Sequence, residues 1–315
     1  MDKGNITYRP ISLGFWKAYW IQMRPYLLFL SGIAGMTGVV VATSPGDQPA
    51  GIALIPFFLA YGFGQALTDC YQTDTDALSA PYRPLSRGEI SVGDVRLVSL
   101  FGLLLCGSIL IVLNPLNIVF SVLTIVGLGT YTFFKKRFWW AGPFYNAWIV
   151  ALLPVMGYLC QGSNLQEMPV LLPVLTFFSY ANFVLMGYLK DISADRTTGY
   201  NTFSVKFGWD ATLWVGNLFV LISSGICFLI VNNEISHLLL VAATVIAVSG
   251  QLYGHFVRIK KEEHAAYPII STVRSIILWH LAVLLSYQPD LVWASLFYYL
   301  FFELFLFKRP SHSQI

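Results

Sequence analysis

The sequence predicts an all-α polytopic membrane protein, a bundle of nine to ten transmembrane helices, and three observations carry that prediction. Of 315 residues, 56% are hydrophobic and 11% are charged, whereas about a quarter of an ordinary soluble domain is charged. The mean hydropathy is +0.65. The apolar residues come in long runs, and 19 Lys and Arg with 16 Asp and Glu are too few to cover a soluble surface of this size. Disorder is excluded by the same composition, because disordered chains are polar and poor in aromatic residues. One domain over residues 1–315 is expected.

Crossing a hydrocarbon core of about 30 Å takes roughly 20 helical residues. The polar and aromatic N-terminal segment lacks the short apolar run of a cleavable leader, so no targeting segment is expected. Apolar runs then follow at 26–43, 51–68, 96–113, 117–134, 143–160, 169–189, 211–231, 237–257, 268–287 and 291–307. The first carries Gly32, Gly35 and Gly38, small residues that let membrane helices approach closely. Cys70, Cys106, Cys160 and Cys227 lie far apart, which excludes a zinc site or a disulfide framework by spacing.

The loops between these runs alternate in charge. Lys3, Arg9, Lys17, Arg24, Arg83, Arg87, Arg96, Lys135, Lys136, Arg137, Lys190, Arg196, Lys206, Arg258, Lys260, Lys261, Lys308 and Arg309 all fall on one side of a ten-span arrangement. Arg274 alone lies inside a run. Basic residues accumulate in cytoplasmic loops, so both termini and these loops are expected in the cytoplasm, most simply at a bacterial cell membrane. Bases dispersed in this way make no nucleic-acid surface.

Two of the cytoplasmic loops, 69–95 and 190–210, are long, and five of their carboxylates gather just after the spans that lead into them: Asp69, Asp74, Asp76, Asp191 and Asp195. Asp69 and Asp76 are seven residues apart, which on one helix places them on a common face with Gln72. Asp191 and Asp195 are four apart and share a face as well. Unpaired acids at a membrane edge would repel one another and lose hydration. Hard cations such as Mg2+ take carboxylate oxygens and leave positions open for phosphate. With Arg83, Lys135, Lys136, Lys190 and Arg196 close by, the composition suits a metal-bound diphosphate.

These segments resemble the two signatures of the UbiA-type intramembrane prenyltransferases. The run Thr68-Asp69 through Asp76, followed by Pro81-Tyr82-Arg83-Pro84, is similar to the first, an Asn-Asp-x-x-Asp-x-x-x-Asp run before Pro-x-Arg-Pro. Asp191 through Asp195 to Gly199 resembles the second. Tyr131 with Lys135-Lys136-Arg137 and Arg24-Pro25 look like further family elements. Thr68 and Gln72 depart from the pattern, and Gln72 removes a charge from the expected metal site. The family fold has nine spans, so 291–307, with Glu303, looks like an added C-terminal helix.

The resemblance implies a helical bundle around a cavity open to the cytoplasm and to lipid. It implies Mg2+ held by Asp69, Asp76, Asp191 and Asp195, and an isoprenoid diphosphate held by Arg83, Lys135, Lys136, Lys190 and Arg196. Gln72, Asp74, Asn146 and Arg274 are weaker candidates. Ionisation would leave an allylic cation for an aromatic or other small lipophilic acceptor. A terpene cyclase, in which the prenyl chain captures its own cation, is the alternative, and Gln72 favours it. A secondary transporter is a remote alternative, because transporters place charges near the bilayer midplane. His280 reads as a hydrogen-bonded packing residue, and Arg274 as either functional or reaching for the headgroups.

Overall fold

The computed structural model describes residues 7–44, 46–162 and 164–309. Thirteen α-helices run through them, with short 3-10 turns between. Ten, several of them only together with an adjoining 3-10 turn, are long and apolar enough to cross a membrane: α2 (Leu28–Ala42), α3 (Leu54–Asp69), α5 (Val92–Leu113), α6 (Asn117–Arg137), α7 (Ala141–Cys160), α8 (Leu171–Gly187), α10 (Phe203–Ile230), α11 (Glu234–Phe256), α12 (Ala266–Tyr287) and α13 (Val292–Phe307). Each expected span has its helix. Three short helices complete the set: α1 (Leu13–Gln22), α4 (Thr73–Ser79) and α9 (Ile192–Thr197).

Local sequence explains the element ends. Ser12 opens α1 by accepting a hydrogen bond from the Phe15 amide at 3.2 Å, and Ser91 opens α5 through the Asp94 amide at 3.0 Å, the usual role of a serine N-cap. The seventh span begins earlier than its apolar run because Gly208, at φ +80°, joins a short amphipathic stretch to the main helix. Glycine adopts that backbone region without a Cβ clash.

α12 is the most buried span, and α2, α7, α8, α10 and α11 pack around it and one another. α2 and α7 approach backbone to backbone: a Cβ on Gly38 would collide with the Pro154 carbonyl oxygen and one on Gly157 with the Gly35 carbonyl oxygen, while a Cβ on Gly35 would meet the Phe57 ring of α3. That is the close approach expected of small residues in membrane helices. The outer faces are apolar too. Ile118, Val122 and Val126 on α6 and Trp293, Phe297 and Phe301 on α13 are exposed, which a water-facing surface would not tolerate in such a continuous band.

The tenth span, α13, is fastened to α12 and to α2. Arg274 on α12 donates to both carboxylate oxygens of Glu303 at 2.7 Å. Tyr298 donates to the Phe29 carbonyl at 2.7 Å, and Phe29 stacks edge-on against Tyr298 and Phe302. Arg274 thus ties α13 to α12, and it lines none of the cavities described below. His280 is fully buried and hydrogen-bonded to Thr176 and to the Ile276 carbonyl, a packing residue as expected.

Candidate active site

The two acid-bearing loops fold into the short helices α4 and α9, which meet through the Thr75 and Thr198 hydroxyls at 2.8 Å. This contact closes one end of the bundle. Beneath it lies a cavity of about 700 Å³, measured with its open mouth. Arg24, Arg83, Lys135 and Lys190 line it together with Asp69, Asp76 and Asp191. Gln65, Thr68, Gln72, Tyr131, Asn146, Tyr180 and Tyr188 supply further polar or aromatic wall.

Asp69 ends α3 and is 2% exposed. The Arg24 Nη2 donates to its two oxygens at 2.9 and 2.8 Å, Gln22 donates at 2.6 Å and Gln65 at 2.9 Å. Arg83 links the two acids of the first loop, its Nη1 lying 2.7 Å from Asp76 Oδ2 and 3.8 Å from Asp69 Oδ2. Burial pushes the Asp76 carboxyl above its ordinary range, and the Arg83 guanidinium pulls the other way.

The shared helical face expected for Asp69, Gln72 and Asp76 is not how they meet. The end of α3 tightens into i to i+3 bonds, from the Cys70, Tyr71 and Gln72 amides to the Leu67, Thr68 and Asp69 carbonyls. Gln72, at φ −125°, then turns the chain into α4. The acids converge because Arg83, folded back from beyond α4, reaches both.

The second loop divides its acids. Asp191 lines the cavity, and its Oδ1 is buried without a hydrogen-bond partner. Asp195 is fully buried behind the wall and does not line the cavity. It accepts from the Thr202 hydroxyl at 3.1 Å and stands 3.6 Å from the Lys135 ammonium. Burial pushes Asp195 up to about 6, with Lys135 opposing. Lys135 in turn donates to Gln72 Oε1 at 2.9 Å and lies over the rings of Tyr188 and Tyr200.

Lys136, Arg196 and Asp74 stay outside. Lys136 and Arg196 are exposed, and Lys136 pairs with Asp74 at 3.4 Å on the surface. Both bases follow a buried partner by one residue, and one step around a helix turns a side chain by about 100°. Asn146 lines the cavity.

Arg24 is the residue that the sequence reading left off the site. It holds φ 53° immediately before Pro25, a region that the following proline disfavours and that costs about 1–3 kcal/mol for a residue with a side chain. The buried contact to Asp69 holds it there. In sequence it looks like one more base at a span edge. Gln22 and Gln65 carry no charge and gave no signal.

An apolar cavity of about 520 Å³ adjoins the polar one and shares Gln65, Thr68, Asn146 and Tyr180 with it. Its remaining wall includes Ala60, Leu103, Leu128, Ile149, Val150 and Leu153.

Among the described residues, no three Asp, Glu, His or Cys side chains gather into a group able to hold a metal alone. The donors still suit Mg2+, which is commonly bound by one or two carboxylates plus the oxygens of a substrate phosphate. Asp191 has an oxygen without a partner, and Asp76 shares its cavity. Asp69 is already committed to Arg24, Gln22 and Gln65.

The model of the UbiA prenyltransferase family matches residues 28–273. A digeranylgeranylglyceryl phosphate synthase of Sulfolobus acidocaldarius is 30% identical over 203 residues, covering 63% of this chain and 72% of that protein. The Korarchaeum cryptofilum protein of the same name is 28% identical over 256 residues, 75% of this chain and 88% of its own. A UbiA homolog from Archaeoglobus fulgidus, solved bound to GPP and Mg2+, superposes with a TM-score of 0.64 at 19% identity, covering 84% of this chain and 99% of that one. With the family match spanning most of its length, the chain belongs to the UbiA prenyltransferase family and is an integral membrane prenyltransferase.

Proposed function

We propose that this enzyme ionises an isoprenoid diphosphate with the help of Mg2+ and passes the prenyl group to a small lipophilic acceptor. The observation that carries the reading is the lining of one cavity. Four bases and three acids converge there beside an apolar chamber. Arg24, Arg83, Lys135 and Lys190 donate to the diphosphate oxygens, with Arg83 and Lys135 already positioned by Asp76 and Asp195. Asp76 and Asp191 would hold Mg2+, and Asp69 holds Arg24. When bound, Mg2+ neutralises charge on the leaving diphosphate and so favours breaking the allylic C–O bond. The apolar chamber takes the prenyl chain and keeps water from the cation. The rings of Tyr131, Tyr180 and Tyr188 stand where they can face it. Residues 1–315 act as one catalytic unit in this reading.

The archaeal relatives carry a name that denotes prenyl groups on glyceryl phosphate. On that basis we favour a phosphorylated glycerol acceptor over the aromatic one expected above, and geranylgeranyl diphosphate as donor. In this reading the cavity opens to the cytoplasm, which the concentration of bases on one side of the spans supports. The relatives lend no support to a bacterial membrane in particular.

The test is turnover of geranylgeranyl diphosphate by the purified protein with Mg2+. Prenylated product that requires a geranylgeranyl glyceryl phosphate acceptor is the expected result. Cyclic hydrocarbon formed without any acceptor would overturn transfer in favour of cyclisation.

A further inference from the structure

A third cavity, of about 700 Å³ with its mouth included, lies between α1 with the turn after it and the end of α13. It is lined by Trp20 and Ile21 of α1, the Arg24-Pro25-Tyr26 turn, and Leu304, Phe305, Lys308 and Arg309 at the end of α13. Three of its nine lining residues are bases and none is an acid. Arg24 lines this cavity and the catalytic one alike, which puts both at the same end of the bundle. Its Nε is buried without a hydrogen-bond partner, while its Nη2 is committed to Asp69. The remaining wall is aromatic and aliphatic, with Trp20 and Phe305 edge to face at 6.4 Å between centroids.

Bases that only set topology need not surround a hollow. Here two chain ends, remote in sequence, build a concave site with a cationic rim and an apolar wall. The site depends on α13, and residues beyond 273 lie outside the segment matched by the family. Basic pockets between membrane helices hold lipid headgroups, and guanidinium groups pair with phosphate through paired donors.

We propose that this cavity binds the phosphate of an anionic lipid, with Lys308 and Arg309 on the phosphate and Trp20, Ile21, Leu304 and Phe305 along the first carbons of the chains. Phosphate binding here is tested without the catalytic reading; only the choice between its two sources rests on that reading. Two sources present the same chemistry: the surrounding phospholipid, and a phosphorylated lipid acceptor waiting beside the catalytic cavity.

The probe is dioctanoyl phosphatidate added to the full-length protein in detergent, with the thermal midpoint as readout. Dioctanoylglycerol, which has the same chains and no phosphate, is the control. We expect the midpoint to rise with phosphatidate alone. The K308Q/R309Q variant, folded with the same midpoint in the absence of lipid, should need about tenfold more phosphatidate, the loss expected for charge-assisted hydrogen bonds. Lys308→Arg should bind as the parent does. Equal shifts with dioctanoylglycerol, or equal responses of parent and double variant, would overturn the proposal. Turnover in phosphatidylcholine nanodiscs separates the sources. A raised acceptor KM in the double variant identifies the acceptor; a lost response to added anionic phospholipid at unchanged KM identifies the bilayer. A variant that matches the parent in both overturns the site.

Discussion

The two acidic loops look alike in sequence and differ in structure. In the first, both acids are held by guanidinium groups, Asp69 by Arg24 and Asp76 by Arg83, and both line the cavity. In the second, Asp191 lines the cavity with an oxygen to spare, while Asp195 is buried behind it against Lys135. Similar spacing has produced one pair that works as a clamp and another that divides its work. The difference arises from the backbone. α3 ends at Asp69 and a turn redirects the chain, whereas Asp191 precedes α9 with a non-helical backbone at φ −113° and lines the cavity, and Asp195 lies within α9, behind the wall.

This contrast is tested most severely at Asp69. Asp69→Ala should lower stability by about 3–5 kcal/mol, because it leaves Arg24 and the neighbouring Arg83 buried without their carboxylate. The thermal midpoint and turnover should fall together. Asp191→Asn should do the opposite of a structural change. Its oxygen has no hydrogen-bond partner to lose, so the midpoint should hold while turnover drops by about 10²–10³, the usual cost of losing one group that stabilises developing charge. A fall in midpoint with turnover preserved would erase the distinction between the loops.

Asp195 has a smaller expected effect, since it acts through Lys135. Asp195→Asn retains an oxygen for the Thr202 hydroxyl and removes the charge facing the ammonium. Outer partners of this kind typically cost ten- to a hundredfold when changed. The loss should show in the KM for the diphosphate, with Asp195→Glu restoring part of it. An unchanged KM with a lower midpoint would make Asp195 a packing residue only.

Much of the bundle was legible in the sequence because hydropathy runs and loop charge report directly on membrane spans. The Gly35 and Gly38 contacts were legible for the same reason, since small residues in an apolar run have few other uses. The site was legible only as a set of loops. Arg24 showed in the sequence as part of a family-like Arg-Pro element, but its place in the site was hidden, because a base at a span edge already has an explanation and its left-handed backbone is set by a carboxylate 45 residues away. The tie between Arg274 and Glu303 was hidden likewise: the partners lie on different helices, and no periodicity relates them. What sequence spacing could not reveal was which side of each short helix would turn inward.

Lys136 and Arg196 carry the smallest expected effect and the sharpest check on where the cavity ends. Each sits one residue after a buried partner, Lys136 after Lys135 and Arg196 after Asp195, and each is exposed. The Lys136 ammonium, 48% exposed, meets Asp74 in water-facing surroundings, where such pairs are worth about 0–1 kcal/mol and salt screens them. K136Q/R196Q should therefore keep stability within about 0.5 kcal/mol and turnover close to that of the parent. Lys135→Gln, by contrast, removes a charge inside the cavity and should cost both diphosphate affinity and rate. If the surface double variant loses as much as Lys135→Gln, the diphosphate is held by the rim of the loops instead of the cavity beneath them. The difference between the two acidic loops would then not govern catalysis, because the wall that separates Asp191 from Asp195 would no longer divide groups that touch substrate from groups that support them.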